Sequence, residues 1–115
     1  MTFIRIFILT IIVASLSGCV LNEQTFNQAR PELRKRPDIQ ADFTRRCERN
    51  VKYAHIEVKR DVAGFMRTDL DGLPQKVCSR FLKGYLSGKM RFEDFNLVMK
   101  RQRFTPNMVA ILRTK

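Results

Sequence analysis

The sequence is poor in the residues from which catalytic and metal sites are usually built. It has no Trp, a single His (His55) and three Cys among 115 residues. Cys47 and Cys78 stand about 31 positions apart, a spacing that does not match the common zinc sites. No Ser or free Cys stands with His55 in a pattern typical of nucleophilic catalysis. We therefore expect no metal site, no cofactor and no enzymatic activity.

Long apolar runs are also lacking. The longest, Ile6 to Leu16, has about 11 residues, whereas a membrane-spanning helix needs roughly 20. The run follows one cation, Arg5, and is followed by the small residues Ser17 and Gly18. This order of a charge, a short apolar core and small residues is typical of a secretory signal peptide.

The stretch Leu16-Ser17-Gly18-Cys19 resembles the lipobox of bacterial lipoproteins. The resemblance implies cleavage before Cys19, a diacylglycerol on the Cys19 thiol, and an acyl chain such as palmitate on the new amino group. In this family an Asp after the Cys favours retention in the inner membrane. Because Val20 stands there, the resemblance implies the outer membrane, on its periplasmic side. An ordinary signal peptide with an incidental cysteine is the alternative.

Acidic residues are scarce relative to basic ones. There are 11 Asp and Glu against 22 Lys and Arg, a formal net charge of +11. Such an excess predicts attraction to anionic surfaces and does not bear on the fold. Residues 19–37 are interpreted as the lipidated Cys and a flexible tether, because they are polar, contain Pro31 and Pro37, and lack an apolar period. The tether cations predicted to bind anionic headgroups or an envelope polymer are Arg30, Arg34, Lys35 and Arg36.

Export would place Cys47 and Cys78 in an oxidising compartment, with Cys19 occupied by the lipid. A disulfide between them would close a loop of about 31 residues, which the chain-entropy model credits with roughly 3.5–4 kcal/mol of stabilisation. This is a large share of the roughly 5–15 kcal/mol that stabilises a typical domain. Two buried free thiols are the alternative.

The sequence shows no internal repeat and no strand-like alternation of any length. Apolar residues three and four positions apart predict a first helix from Asp38 to about Arg60, with an extra turn over Val62 to Arg67. Further helices are predicted from Pro74 to Ser87 and from Met90 to about Gln102. A short segment from Thr105 is helical only if it docks, and a short strand is the alternative. The predicted fold is a small all-α bundle of three to four helices, stapled by one disulfide, in a domain of residues 38–115 that follows a signal peptide (1–18) and the tether (19–37).

No motif after Cys19 indicates a reaction. The leading hypothesis is a lipid-anchored, basic, non-enzymatic cell-envelope protein that presents a small helical domain to a protein partner or an anionic envelope surface. One alternative is an accessory lipoprotein of a transfer or secretion apparatus, which acts in entry exclusion or in assembly of the apparatus. Another is a small envelope enzyme whose site forms only with a partner. Nucleic acid is not expected as a partner, because an exported, anchored domain rarely meets it.

Overall fold

The computed structural model describes residues 22–114, which form six α-helices and contain no strand. The predicted all-α bundle is confirmed. Residues 37–113 form five of the helices, where three to four were predicted for this domain, and the sixth precedes them. Cys19 and the predicted signal peptide, residues 1–18, lie outside the described part of the chain. In chain order the helices are α1 (Glu23–Arg34), α2 (Pro37–Lys52), α3 (Ile56–Met66), α4 (Leu73–Leu86), α5 (Phe92–Arg101) and α6 (Pro106–Arg113).

The first helix, α1, lies where a flexible tether was predicted, so that prediction is wrong for residues 23–34. Asn22 caps the helix, since its Oδ1 accepts a hydrogen bond from the Thr25 N–H at 2.7 Å. Pro31 stands inside the helix, where it removes a backbone donor. Phe26, in contrast, is only 2% exposed. A short helix of this kind is stabilised by docking rather than by propensity, which explains why its sequence pattern is weak.

The predicted helix from Asp38 to Arg60 is in fact two helices, so this prediction is also corrected. α2 ends at Lys52 and α3 begins at Ile56. His55 caps α3, because its Nδ1 accepts a hydrogen bond from the Glu57 N–H at 3.3 Å. The apolar pattern hides this break, since Val51 before it and Val58 after it both pack against the same core.

The later helices follow their predictions closely. Pro74 lies in the first turn of α4, where the missing N–H of proline has no cost. Gly88 follows the helix with φ +82°, a conformation that glycine adopts without strain. The last segment is a helix rather than a strand. Thr105 caps it by accepting a hydrogen bond at Oγ1 from the Met108 N–H at 3.1 Å.

α2 and α4 are antiparallel neighbours joined by a disulfide. Cys47 and Cys78 form this bond with their Cα atoms 5.8 Å apart, which confirms the predicted pairing. One turn further along, the rings of Phe43 and Phe81 stack with centroids 6.0 Å apart. The end of α2 therefore lies beside the start of α4, and the start of α2 lies beside the end of α4.

The core holds α1 against α4 and α5 through Phe26. Its ring centroid lies 4.8 Å from that of Tyr85, 5.7 Å from that of Phe92 and 5.3 Å from that of Phe95. Aromatic pairs at such distances add to the stabilisation that comes from burying their area. The other large buried apolar side chains are Val62, Met66, Leu73, Met90, Met108, Ile111 and Leu112.

Candidate functional site

Arg30, predicted to bind an anionic surface, lies against the end of α4. Its Nε–H donates to the Tyr85 carbonyl at 2.7 Å, and its NH2 group donates to the Met90 carbonyl at 3.3 Å. The guanidinium also lies over the rings of Phe26 and Tyr85, at 5.4 and 5.1 Å from their centroids. Both a helix C-terminus and an aromatic face attract a cation. The structure thus gives Arg30 partners within its own domain.

Tyr85 completes this contact from the other side. Its hydroxyl donates a hydrogen bond to the Phe26 carbonyl at 2.6 Å, so α1 and α4 are bonded in both directions. Burial raises the pKa of Tyr85, while the nearby charge of Arg30 acts in the opposite direction. The phenol therefore stays neutral, as a hydrogen-bond donor, at ordinary pH.

The other three predicted cations are close together where α1 meets α2. Arg34 donates from Nε to the Leu86 carbonyl at 2.7 Å, so it also binds the end of α4. Arg36 pairs with the exposed Asp38 at 3.0 Å. This pairing raises the pKa of Arg36 and lowers that of Asp38, in both cases mainly through the side-chain hydrogen bond. Lys35 is exposed, as are Arg34 and Arg36.

Basic side chains bind the ends of other helices as well. Arg80 donates to the Leu112 carbonyl at 2.8 Å, and Arg113 donates to the Phe65 carbonyl at 2.6 Å. Lys59 donates to the Lys52 carbonyl at 3.0 Å. Unpaired carbonyls at a helix C-terminus carry partial negative charge, so each cation meets one of the groups that a helix leaves unsatisfied. Some of the excess basic side chains therefore stabilise the fold by binding helix ends.

Other cations remain on the surface, notably along α2. An open recess of about 410 Å³ is lined by Asp42, Arg45, Arg46, Arg49 and Asn50. Asp42 pairs with both Arg45 and Arg46. Exposed pairs of this kind contribute only about 0–1 kcal/mol, so they are readily exchanged for another anion. This recess has the chemistry to bind carboxylates or phosphates.

A second concavity lies between α2 and the last turns of α4. It has a volume of about 480 Å³ and includes the half-buried Leu82 and Leu86 beside Lys83. Apolar side chains beside a cation suit an amphipathic, anionic partner. The remaining residues that line this groove are Arg34, Thr44, Ser79 and Ser87.

Asp94 is a buried carboxylate, 1% exposed, at the start of α5. It accepts hydrogen bonds from the Arg91 N–H at 3.0 Å, the Thr105 hydroxyl at 2.6 Å and the Asn107 amide at 2.6 Å. Burial alone would raise the pKa of Asp94, but these hydrogen bonds together outweigh it, and the pKa is lowered. Because Thr105 and Asn107 stand at the start of α6, the carboxylate links two helix starts.

The segment between α3 and α4 is an ordinary turn and shows no sign of a metal site. Asp69 accepts a hydrogen bond at Oδ1 from the Gly72 N–H at 2.9 Å, as in an ordinary turn. Among residues 22–114 no group of three or more His, Cys, Asp and Glu side chains is placed to hold a metal ion. Over the same range, no helix has both the length and the apolar character needed to cross a membrane.

Comparison with known proteins gives no relative. No protein-family model, no curated protein sequence and no solved structure matches this chain.

Proposed function

We propose that this chain is a lipid-anchored, non-enzymatic protein of the bacterial cell envelope. Its basic helical domain binds an anionic surface or a protein partner close to the membrane to which Cys19 attaches it. The observation that carries the proposal is the stretch Leu16-Ser17-Gly18-Cys19 after a short apolar run. The residue after the cysteine is Val20 and not Asp, which favours the outer membrane, on its periplasmic side.

The disulfide supports export. Cys47 and Cys78 are bonded to each other, and such bonds persist mainly in oxidising compartments. With those two thiols paired, Cys19 is the third cysteine of the chain and the one at the lipobox. An odd number of cysteines is thus accounted for without a free thiol in the exported protein.

The surface cations support an anionic partner. Five basic side chains bind helix ends inside the domain, but the α2 recess presents Arg45, Arg46 and Arg49 to solvent. Charged groups of one sign on a surface speed association with, and orient, partners of the other sign. An acidic protein surface, an anionic polymer and lipid headgroups all have this chemistry.

The test is metabolic labelling with a palmitate analogue in a Gram-negative host, followed by flotation of membranes. We expect label on the wild-type protein and its recovery with membranes, because two or more acyl chains hold a protein firmly. Cys19→Ala should lose the label and leave the protein soluble or unprocessed.

A double variant, Cys47→Ser with Cys78→Ser, is the matched control for loss of a thiol. It retains Cys19 and should keep the label. If Cys19→Ala is labelled and floats as the wild type does, the proposal is wrong.

A further inference from the structure

The proposed anchor would stand very close to the folded domain. α1 begins at Glu23 and is capped by Asn22, which is only three residues after Cys19. Since an extended chain covers at most about 3.3–3.6 Å per residue, Asn22 can lie no more than about 11 Å from Cys19. This distance is about one Debye length at ordinary salt, so charges near the start of α1 act on lipid headgroups.

The contacts of α1 show which part of the domain lies there. Arg30 bonds to the Met90 carbonyl, just before α5, whereas Phe26 contacts Phe92 and Phe95 within α5. Positions earlier in α1 thus meet positions later in α5. The start of α1 therefore points toward the C-terminal half of α5.

That half of α5 combines an exposed apolar side chain with exposed cations. Met99 lies four residues after Phe95, on the same stripe of the helix, and is 64% exposed. Lys100, Arg101 and Arg103 follow it, all exposed, and their side chains make no hydrogen bond or ion pair with any residue from 22 to 114. We call Met99, Lys100, Arg101 and Arg103 the α5 tip.

The antiparallel arrangement adds further exposed apolar side chains to the same end of the bundle. Tyr53, 77% exposed, directly follows α2, and Leu70, 41% exposed, stands just before α4. The end of α2 and the start of α4 are neighbours. α5 runs antiparallel to α4, because the Met90 N–H donates to the Gly84 carbonyl whereas Phe95, later in the chain, packs on Phe81. The end of α5 therefore points toward the same end of the bundle. Acidic residues are also present at this end, at Glu23, Asp69 and Asp71, but none follows Asp94 in the chain.

We propose that the α5 tip docks on the anionic bilayer that holds the lipid of Cys19. Met99 enters the headgroup region, and Lys100, Arg101 and Arg103 bind lipid phosphates. The inference rests on the proposed lipidation of Cys19. A single apolar side chain flanked by cations binds a membrane weakly, but a covalent anchor three residues before the cap of α1, whose start points toward the α5 tip, keeps it at the surface.

This assignment differs from the one that the sequence suggested. Arg34, Lys35 and Arg36 stand at the far end of α1, which is about 18 Å long. Arg34 binds the Leu86 carbonyl at the end of α4, so these cations stand at the opposite end of α1 from the α5 tip. Ile39, an exposed apolar residue at the start of α2, marks this opposite end.

Because the chain has no Trp, one introduced Trp reports on its own position. The full lipidated protein is reconstituted in vesicles of phosphatidylethanolamine and phosphatidylglycerol that carry a headgroup-level quencher lipid. Met99→Trp should show blue-shifted emission and severalfold stronger quenching than Ile39→Trp, the control at the opposite end. Thermal unfolding of each variant checks that the fold is kept.

The cations are tested in the Met99→Trp background. Replacing Lys100, Arg101 and Arg103 with Gln should reduce the quenching to near the level of Ile39→Trp. Replacing Lys35, Lys83 and Lys89 with Gln removes the same charge from exposed positions at the opposite end of the bundle and should leave the quenching unchanged. Vesicles of phosphatidylcholine alone should give weak quenching of every variant.

Co-flotation with the vesicles is measured in the same samples. Protein that does not float contradicts the lipid anchor and therefore the proposed function. Protein that floats but shows equal quenching at Met99→Trp and Ile39→Trp, or stronger quenching at Ile39→Trp, overturns the docking of the α5 tip and leaves the anchor intact. Equal quenching in anionic and phosphatidylcholine vesicles overturns the role of the three cations.

Discussion

The guanidinium of Arg30 caps the last turn of α4 through the Tyr85 carbonyl, at 2.7 Å, and lies over the ring of the same residue. The Tyr85 hydroxyl in turn bonds to α1 at the Phe26 carbonyl. Arg30 and Tyr85 are 55 positions apart in the chain. Arg30, which the sequence assigned to an anionic surface, is thus half-buried and holds α1 against α4 at the edge of the core.

Arg30→Gln should destabilise the domain. A hydrogen bond to a charged group contributes about 1.5–3 kcal/mol. Without the guanidinium, the Met90 carbonyl would lose the Arg30 donor and the Tyr85 carbonyl would keep only the Gly88 N–H. For a domain of this size each kcal/mol lowers the melting temperature by about 4–8 °C. Thermal unfolding followed by circular dichroism measures the change.

Lys35→Gln removes the same charge from an exposed position five residues later and is the control for Arg30→Gln. Its melting temperature should stay close to that of the wild type. Equal melting of both variants would show that Arg30 contributes charge only, as the sequence suggested.

Reduction of the disulfide between Cys47 and Cys78 should cost roughly 2–5 kcal/mol, because the unfolded chain regains the freedom of a long loop. The double variant Cys47→Ser with Cys78→Ser should unfold at correspondingly lower urea concentration. Thiol labelling of the unfolded, unreduced protein should find neither cysteine reactive. Labelling of both would show that the bond does not form in the protein.

Much of the fold could be predicted from short-range pattern. Pro74 and Gly88 bracket α4, and Thr105 with Pro106 starts α6, since the chemistry of these residues acts on their own backbone. The disulfide could be predicted as well, because the predicted lipidation of Cys19 leaves the other two cysteines as a pair. Each of these inferences needs only the residues adjacent in the chain or the number of cysteines.

The rest depends on tertiary contacts that leave little local trace. α1 contains Pro31 and one large buried side chain, so its stability comes from where Phe26 docks and not from its own pattern. The break at Tyr53–His55 is masked because the apolar stripe continues past it. An arginine that caps a helix end 32 or 55 positions away, like Arg80 or Arg30, resembles any solvated cation in the sequence.

Two glycines within helices should respond in opposite ways to Ala. A Cβ at Gly84 would overlap Cγ2 of Ile111, where α4 and α6 pack closely, whereas Gly64 in α3 has open space. Gly84→Ala should therefore destabilise the domain by about 1–3 kcal/mol through overpacking. Gly64→Ala should stabilise it by about 0.5–1 kcal/mol, because Ala favours the helix and restricts the unfolded chain.

Urea unfolding of the two Ala variants measures both effects against the wild type. The combination of Gly84→Ala with Ile111→Ala should lose less stability than the sum of the two single changes, since the overlapping Cγ2 is gone. Destabilisation by both Gly64→Ala and Gly84→Ala would contradict the difference in packing around these positions.

Asp94 should make the stability of the domain depend on pH in the acidic range. The pKa of its carboxyl is lowered in the folded state, so folding favours the ionised form. The stabilisation is fully present above the pKa of the unfolded chain, about 3.9, and is lost as the pH falls through the folded value. Urea midpoints measured from pH 7 down to pH ~2 should therefore fall less steeply below pH ~4 in Asp94→Asn than in the wild type.

The same variant should be less stable at neutral pH, because Asn cannot accept all three hydrogen bonds from Arg91, Thr105 and Asn107. Asp38→Asn is the matched control, since Asp38 also has a lowered pKa beside an arginine but is fully exposed to solvent. Solvent screens an exposed pair, so its acid profile should match that of the wild type. If Asp94→Asn and Asp38→Asn gave the same profile, the buried network between α5 and α6 would not control acid stability. If instead only Asp94→Asn flattens the profile, the carboxylate that joins the two helix starts is the group whose protonation weakens the domain.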